Sequence, residues 1–286
     1  MRENSDKNQR IGFYGLGIAP AILQTLLRLD FKTPTPIQQK AIPVAIEGKD
    51  MIGIAQTGTG KTLAFGIPMV QTIIKNGGQG LILLPTRELA LQVDEVLYKI
   101  GKSFGLKTVV LIGGTSMRPQ INAIHRNPHI IIATPGRLID HLEQRTIKLD
   151  KVSILVLDEA DRMLDMGFKP QITRILHGVP KKRQTMLFSA TLPSEIISIA
   201  SSQMKLPVSI EISPPGTTIE NVSQEIFIVD RNSKQQMLMH LLKEHRGSTL
   251  VFTKTKYGAS RVAKNLRDSG ESVIEVHSNR SRSQRR

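Results

Sequence analysis

Seven short, largely apolar runs punctuate the first 212 residues, at 51–55, 81–84, 109–112, 130–133, 154–157, 186–189 and 208–212, and only the last, Val-Ser-Ile-Glu-Ile, alternates with polar residues. Runs of this length that do not alternate with polar residues suit strands covered on both faces, which is the condition of a parallel sheet. Between them lie stretches with helical apolar spacing, at 60–74, 86–103, 118–124 and 137–143. Strand followed by helix, repeated, predicts an α/β chain with an open, doubly wound parallel sheet flanked by helices. The pattern lapses at 213–223, where two prolines and a glycine read as a linker. It then restarts with strands at 224–229, 249–253 and 272–276 and helices at 234–244 and 257–269. Two domains are therefore expected over 286 residues, 1–212 and a shorter 224–286. The second offers so few strands that its core is short for this architecture.

Composition narrows the chemistry. With 40% apolar and 22% charged residues the chain can bury a core, which excludes a disordered or collagen-like polymer. It has no cysteine, so disulfides and Cys-ligated zinc or iron–sulfur centres are excluded. The first residues lack the apolar core of a secretory signal, and no apolar run approaches bilayer length. A cytoplasmic protein without a membrane partner is the expectation. The net charge is +15, of which +9 falls in residues 231–286. Such an excess suits a polyanionic partner through counterion release, or simply a soluble basic surface.

Two motifs carry specific chemistry. Ala55-Gln-Thr-Gly-Thr-Gly-Lys-Thr62 follows the apolar run 51–54 and matches a phosphate-binding loop, with Ala55 where the general pattern has Gly. Gly58 and Gly60 let successive backbone N–H groups converge on phosphate oxygens, and the helix that follows directs its positive end at the anion. Lys61 would reach the β- and γ-phosphates and the Thr62 hydroxyl would hold Mg²⁺. The second motif, Leu157-Asp158-Glu159-Ala160-Asp161, closes the apolar run 154–157. A carboxylate at the C-terminal end of a parallel strand stands at the edge where such sheets bind ligands. Asp158 is the expected Mg²⁺ ligand, and Glu159 the group that orients and deprotonates the attacking water. The pair implies an NTPase.

Beyond these motifs the chain resembles the DEAD-box ATP-dependent RNA helicases, whose signature is the tetrapeptide 158–161. Phe31-Lys-Thr-Pro-Thr-Pro-Ile-Gln38, with Phe13 upstream, resembles their adenine-reading Q motif over 11–39. The resemblance implies a RecA-like fold in which Phe31 stacks on adenine and Gln38 bonds its edge, with Phe13 and Thr33 completing the contact. Together with Ala55, Gln56, Thr57, Gly58, Thr59, Gly60, Lys61 and Thr62 these would bind ATP. Apart from the resemblance, Phe31 reads as core and Gln38 as an exposed helix residue. Pro85-Thr86-Arg87, Gly113-Gly114 and Thr134-Pro135-Gly136-Arg137 resemble the motifs that hold the RNA sugar–phosphate backbone. Each follows an apolar run, and their backbone N–H, hydroxyl and guanidinium groups suit phosphates rather than base edges, so sequence-independent RNA binding is implied. Ser189-Ala-Thr191 resembles the motif that couples hydrolysis to strand separation through hydrogen bonds to the acidic motif, which places Ser189 and Thr191 with Lys61, Asp158 and Glu159 in the catalytic set.

Asp165-Met-Gly-Phe168 and His277-Ser-Asn-Arg280 resemble the bacterial RhlE-like branch. In 281–285 the family's Gln-x-x-Arg appears with Arg282 and Arg285, so half of that motif is altered. The family's second RecA-like domain is longer than the portion here, so a chain truncated within that domain is expected. The implied activity is an ATP- and Mg²⁺-dependent RNA helicase, acting as a monomer in assemblies that build ribosomes or degrade RNA. Two alternatives stay open: a non-unwinding fragment that binds ATP and RNA, and a DNA-directed helicase.

Overall fold

The structure is a computed structural model describing residues 12–212, 223, 225–245, 247–280 and 284. The chain forms two compact units, Met1–Thr217 and Thr218–Arg286. In the first, seven strands make one all-parallel sheet: β1 (Met51–Ile54), β2 (Gln79–Leu83), β3 (Thr108–Leu111), β4 (Ile130–Ala133), β5 (Val152–Leu157), β6 (Gln184–Ser189) and β7 (Val208–Glu211). Their spatial order is β3-β4-β2-β5-β6-β1-β7. The helices are α1 (Pro20–Arg28), α2 (Pro36–Ile46), α3 (Lys61–Asn76), α4 (Arg87–Gly101), α5 (Met117–Ile124), α6 (Pro135–Glu143), α7 (Ala160–Asp165), α8 (Lys169–Gly178) and α9 (Ser194–Gln203).

Alternate strand residues serve opposite layers. Ile82, Ile132, Val156 and Phe188 pack with α1 to α4 in one apolar cluster. Their neighbours Leu81, Ile131, Leu155 and Leu187 pack with α6 to α9 in the other. Both faces are therefore dry, which is why these segments read as continuous apolar runs. Because all strands run the same way, the loops after β1 to β6 emerge along one edge and those before them along the other. The seven runs seen in the sequence are the seven strands, with ends shifted by one or two residues.

In the second unit the helices form as expected, α10 (Lys234–Glu244) and α11 (Lys256–Asp268), the latter burying Ala263 and Leu266. The three strands expected there do not form: the described residues of 224–229, 249–253 and 272–276 join no hydrogen-bonded ladder. Strand-like composition supplies extended backbone, but a parallel strand gains its hydrogen bonds only from distant neighbours. The linker expected at 213–223 lies almost wholly outside the described residues, as do Arg282 and Arg285.

Ile226, Ile228 and Phe252 are consequently 92%, 100% and 88% exposed. Amides in 225–230 and 248–253 are expected to exchange with solvent faster than those of the central strands β2, β5 and β6, by a factor on the order of 10³ or more. Mass-spectrometric hydrogen exchange measures this directly, and equal protection in the two sets would contradict the unladdered description.

Candidate nucleotide and nucleic-acid site

The phosphate loop spans the gap between β1 and α3. Gly58 and Gly60 take the left-handed backbone at φ +85° and +94°, a conformation that strains any residue with a Cβ. At Gly60 a Cβ would also strike Gln38 Nε2 and Thr35 Oγ1. The close approach has a purpose: Gln38 Nε2 donates to the Gly60 carbonyl at 2.9 Å. Gln38 Oε1 accepts from the Thr35 N–H at 3.0 Å and closes the capping box that starts α2. Gln38 is thus buried at 3% exposure and ties the segment carrying Phe31 to the loop, leaving one amide N–H for a ligand. Phe31 packs half-buried at the margin of the core and Thr33 is exposed, whereas Phe13 is buried within that core and its ring serves packing.

Inside the loop, the Thr59 hydroxyl donates to the Gln56 carbonyl at 2.7 Å. The ammonium of Lys61 is buried, donating to the Ala55 carbonyl at 3.2 Å and standing 3.7 Å from Asp158 Oδ1. Thr62 follows in the first turn of α3. Asp158 continues β5 by donating its N–H to the Leu83 carbonyl at 3.0 Å. Burial pushes its carboxyl up to about 6, although Lys61 pulls the other way. A buried carboxylate of that kind is under-compensated, a condition that a cation relieves.

Glu159 sits at φ +52°, ψ +50°, left-handed for a residue with a full side chain. The strain turns its carboxylate toward the loop, where Oε1 accepts from the Thr57 hydroxyl at 3.0 Å and Oε2 from Arg162 at 3.1 Å. Asp161 is the hub of the neighbouring segment. Its Oδ2 accepts from Ala190 N, Thr191 N and Thr191 Oγ1 at 3.1, 3.0 and 3.0 Å. In return its own N–H donates to Ser189 Oγ at 3.3 Å. Burial works to raise this carboxyl, but the hydrogen bonds led by Thr191 outweigh it and hold it below the usual range. The ends of β5 and β6 are therefore joined through the acidic motif and Ser189–Thr191.

A strip of phosphate-type groups continues along the same edge. Thr86 caps α4 by accepting from Leu89 N at 3.3 Å. The Arg87 guanidinium lies against the backbone after β3, so a Cβ at Gly114, φ +69°, would collide with it. Arg137 donates to the Thr115 carbonyl at 3.1 Å and to Asp140 at 3.2 Å. Arg87, Gly113, Gly114 and Arg137 thus meet at one loop, while Gly136 is half-exposed in the first turn of α6. Pro85, Thr134 and Pro135 are buried, and the Thr134 hydroxyl turns inward to the Leu111 carbonyl at 3.5 Å.

Several functional partners escaped the sequence reading. Gln120 clamps the 112–116 loop: its amide accepts from Ile112 N at 3.2 Å and donates toward the Ile112 carbonyl and Thr115 Oγ1 at 3.1 and 2.9 Å. Fully buried His141 meets Gln120 Oε1 through Nε2 at 3.3 Å and Thr146 Oγ1 through Nδ1 at 2.7 Å. Burial, reinforced by Arg137, lowers the His141 pKa and keeps the ring neutral. Nothing in the local sequence distinguishes Gln120 or His141. The resemblance implies hydrogen bonds between Ser189–Thr191 and the acidic motif, and the tertiary structure centres them on Asp161.

Comparison with known proteins agrees with this geometry. The family described as DEAD/DEAH box helicase matches residues 35–199. An ATP-dependent rRNA helicase RRP3 of Gibberella zeae is 42% identical over 96% of this chain and 57% of its own length. A DEAD-box ATP-dependent RNA helicase CshA of Geobacillus kaustophilus is 41% identical over 96% of this chain and 59% of its own. The chain therefore spans less than two thirds of these curated relatives. Among solved structures, the crystal structure of a DEAD box protein from the hyperthermophile Methanococcus jannaschii matches with a TM-score of 0.68 and 36% identity. That match covers 96% of this chain and 75% of the other.

Proposed function

Because the chain belongs to the DEAD/DEAH box helicase family, we propose that it is an ATP-dependent RNA helicase that hydrolyses ATP with Mg²⁺ and remodels RNA duplexes. One observation carries the reading: a phosphate loop, an under-compensated buried carboxylate and a strip of phosphate-type donors share one edge of one sheet. The oxygen donors Thr62 and Asp158 fit a hard cation that takes most of its ligands from phosphate and water. Among the described residues no larger cluster of metal-binding side chains forms. When bound, Mg²⁺ supplies neutralisation of charge on the phosphates.

In this reading the chain's own groups divide the work. The loop N–H groups and Lys61 hold the β- and γ-phosphates, while Gln38 and Phe31 select adenine. Glu159, pinned by Thr57 and Arg162, receives the proton of the attacking water. Asp161 relays the state of this site through Ser189 and Thr191, and the Arg87–Gly114–Arg137 strip holds RNA phosphates without reading bases. The segments 165–168 and 277–280 support the RhlE-like bacterial branch, and the absence of cysteine supports a cytoplasmic setting. The relatives' rRNA helicase names support a part in ribosome assembly.

The test is ATP hydrolysis and strand displacement by the whole chain, with RNA and DNA compared. RNA-stimulated turnover with displacement is expected. DNA stimulation in its place would move the assignment to DNA, and binding without turnover would leave a non-unwinding ATP- and RNA-binding protein. Gln38→Ala is expected to weaken ATP binding about tenfold and to flatten the preference over GTP, since it removes both the adenine contact and the tie to Gly60. Calorimetry with both nucleotides measures this; an unchanged ATP-to-GTP ratio would refute the adenine role.

A further inference from the structure

The other edge of the same sheet, where strands begin, holds a feature that the helicase reading does not use. A cavity of about 900 Å³ opens there, lined by His177, Lys181, Lys182, Arg183 and Lys205 around Asp50. Asp50 immediately precedes β1, Arg183 precedes β6, and Lys205 lies shortly before β7.

A carboxylate in the middle of such a cavity ought to repel anions, but Asp50 is already spent. Its Oδ1 accepts from Thr185 N at 2.7 Å and its Oδ2 from Lys205 N at 2.6 Å. Asp50 therefore acts as a buckle that fixes two basic loops side by side. Arg183 braces the same arrangement, donating to the Pro180 carbonyl at 2.7 Å and to Gln203 at 3.1 Å. The lysine side chains remain: Lys181, Lys182 and Lys205 are exposed, and none of their ammonium groups has a hydrogen-bond or carboxylate partner among the described residues. Three unpaired cations on a braced frame concentrate positive potential in a concave space.

The chemistry of the lining selects the occupant. The cavity is at the upper end of ligand-pocket sizes and too large for a lone phosphate. Besides the single imidazole of His177 it holds no Phe, Tyr or Trp on which bases would stack or which would anchor a protein partner. We propose that this cavity is a second phosphate-binding site, which holds a further stretch of the backbone of an RNA already engaged at the Arg87–Arg137 edge. The proposal rests on the RNA-binding reading above. Strands of four to six residues set the two edges roughly 13–20 Å apart, so only an RNA long enough to pass around the domain reaches both.

The experiment compares a short oligouridylate, long enough for one edge only, with a longer one, each titrated against the full chain at several salt concentrations. The variant replaces Lys181, Lys182 and Lys205 by Gln. For the long RNA, the log–log salt slope is expected to fall by about two and affinity to drop on the order of 100-fold at about 0.1 M salt. The short RNA should bind parent and variant equally. Unchanged binding of the long RNA overturns the proposal while the helicase reading stands. Equal losses for both lengths overturn it in favour of a diffuse basic field. A polyglutamate peptide that binds the parent but not the variant, with both RNAs unaffected, assigns the cavity to an acidic protein. A parent that binds neither RNA overturns the RNA-binding reading itself and this inference with it.

Discussion

Glu159→Gln is expected to leave ATP affinity unchanged and to lower turnover by about 10²–10⁴, the usual worth of a general base. The substitution is close to isosteric, so the amide oxygen still accepts from Thr57 and the left-handed backbone at φ +52° is no more strained than before. What disappears is the proton acceptor, together with the charge facing Arg162, an exposed side chain that water can satisfy. Steady-state hydrolysis beside calorimetric ATP binding separates the two effects. Turnover at the parent rate would remove Glu159 from the chemistry.

Lys61→Ala is expected to do the reverse of this, weakening nucleotide binding about 100-fold through loss of a charge-assisted contact of about 3 kcal/mol. It also removes the ammonium that opposes the effect of burial on the Asp158 carboxyl, which even with that ammonium present is raised from 3.8 to about 6. An acid raised in the folded state binds more protons folded than unfolded, so the stability of the unliganded parent falls as pH climbs from about 4 to about 6. Without Lys61 the folded carboxyl rises further and the decline extends to higher pH. Melting temperatures across that range should therefore drop more steeply in the variant. Parallel curves would show that Lys61 is not the group opposing Asp158's burial.

The fold of the first unit was legible because the interior strands are dry on both faces and therefore apolar throughout, as Ile130–Ala133 is, whereas the edge strand Val208–Glu211 is mostly exposed. Helices α1, α2 and α7 to α9 were not singled out. α2 carries Pro43 inside it, and α7 has only six residues, so neither shows a long helical period. The second unit was misread at its strands, since a parallel ladder depends on partners that local sequence does not specify. At the site, loop and acid were legible as contiguous motifs. Gln38 was legible only through the family resemblance: residue type and spacing alone suggest an exposed helix position, and its bond to Gly60 explains its burial. The pair Thr57–Glu159 joins residues far apart in the chain and became visible only in three dimensions, whereas the resemblance already implied bonds from Ser189–Thr191 to the acidic motif and the structure added their focus on Asp161.

The strand order has a consequence for how the protein is made. Met51 of β1, the strand that ends in the phosphate loop, has Met186 of β6 and Val208 of β7 for its two neighbours. Synthesis delivers β1 first among the strands and its partners last, so the loop waits on the ribosome for most of the domain to emerge. Closing so long a span makes this the slow step of assembly. Nucleotide cannot rescue a half-made domain, because the strand that presents Lys61 is the last to be clamped. Lesions in β6 or β7 should therefore appear as failures of ATP binding in newly made chains, although neither strand contributes a residue to the phosphate loop.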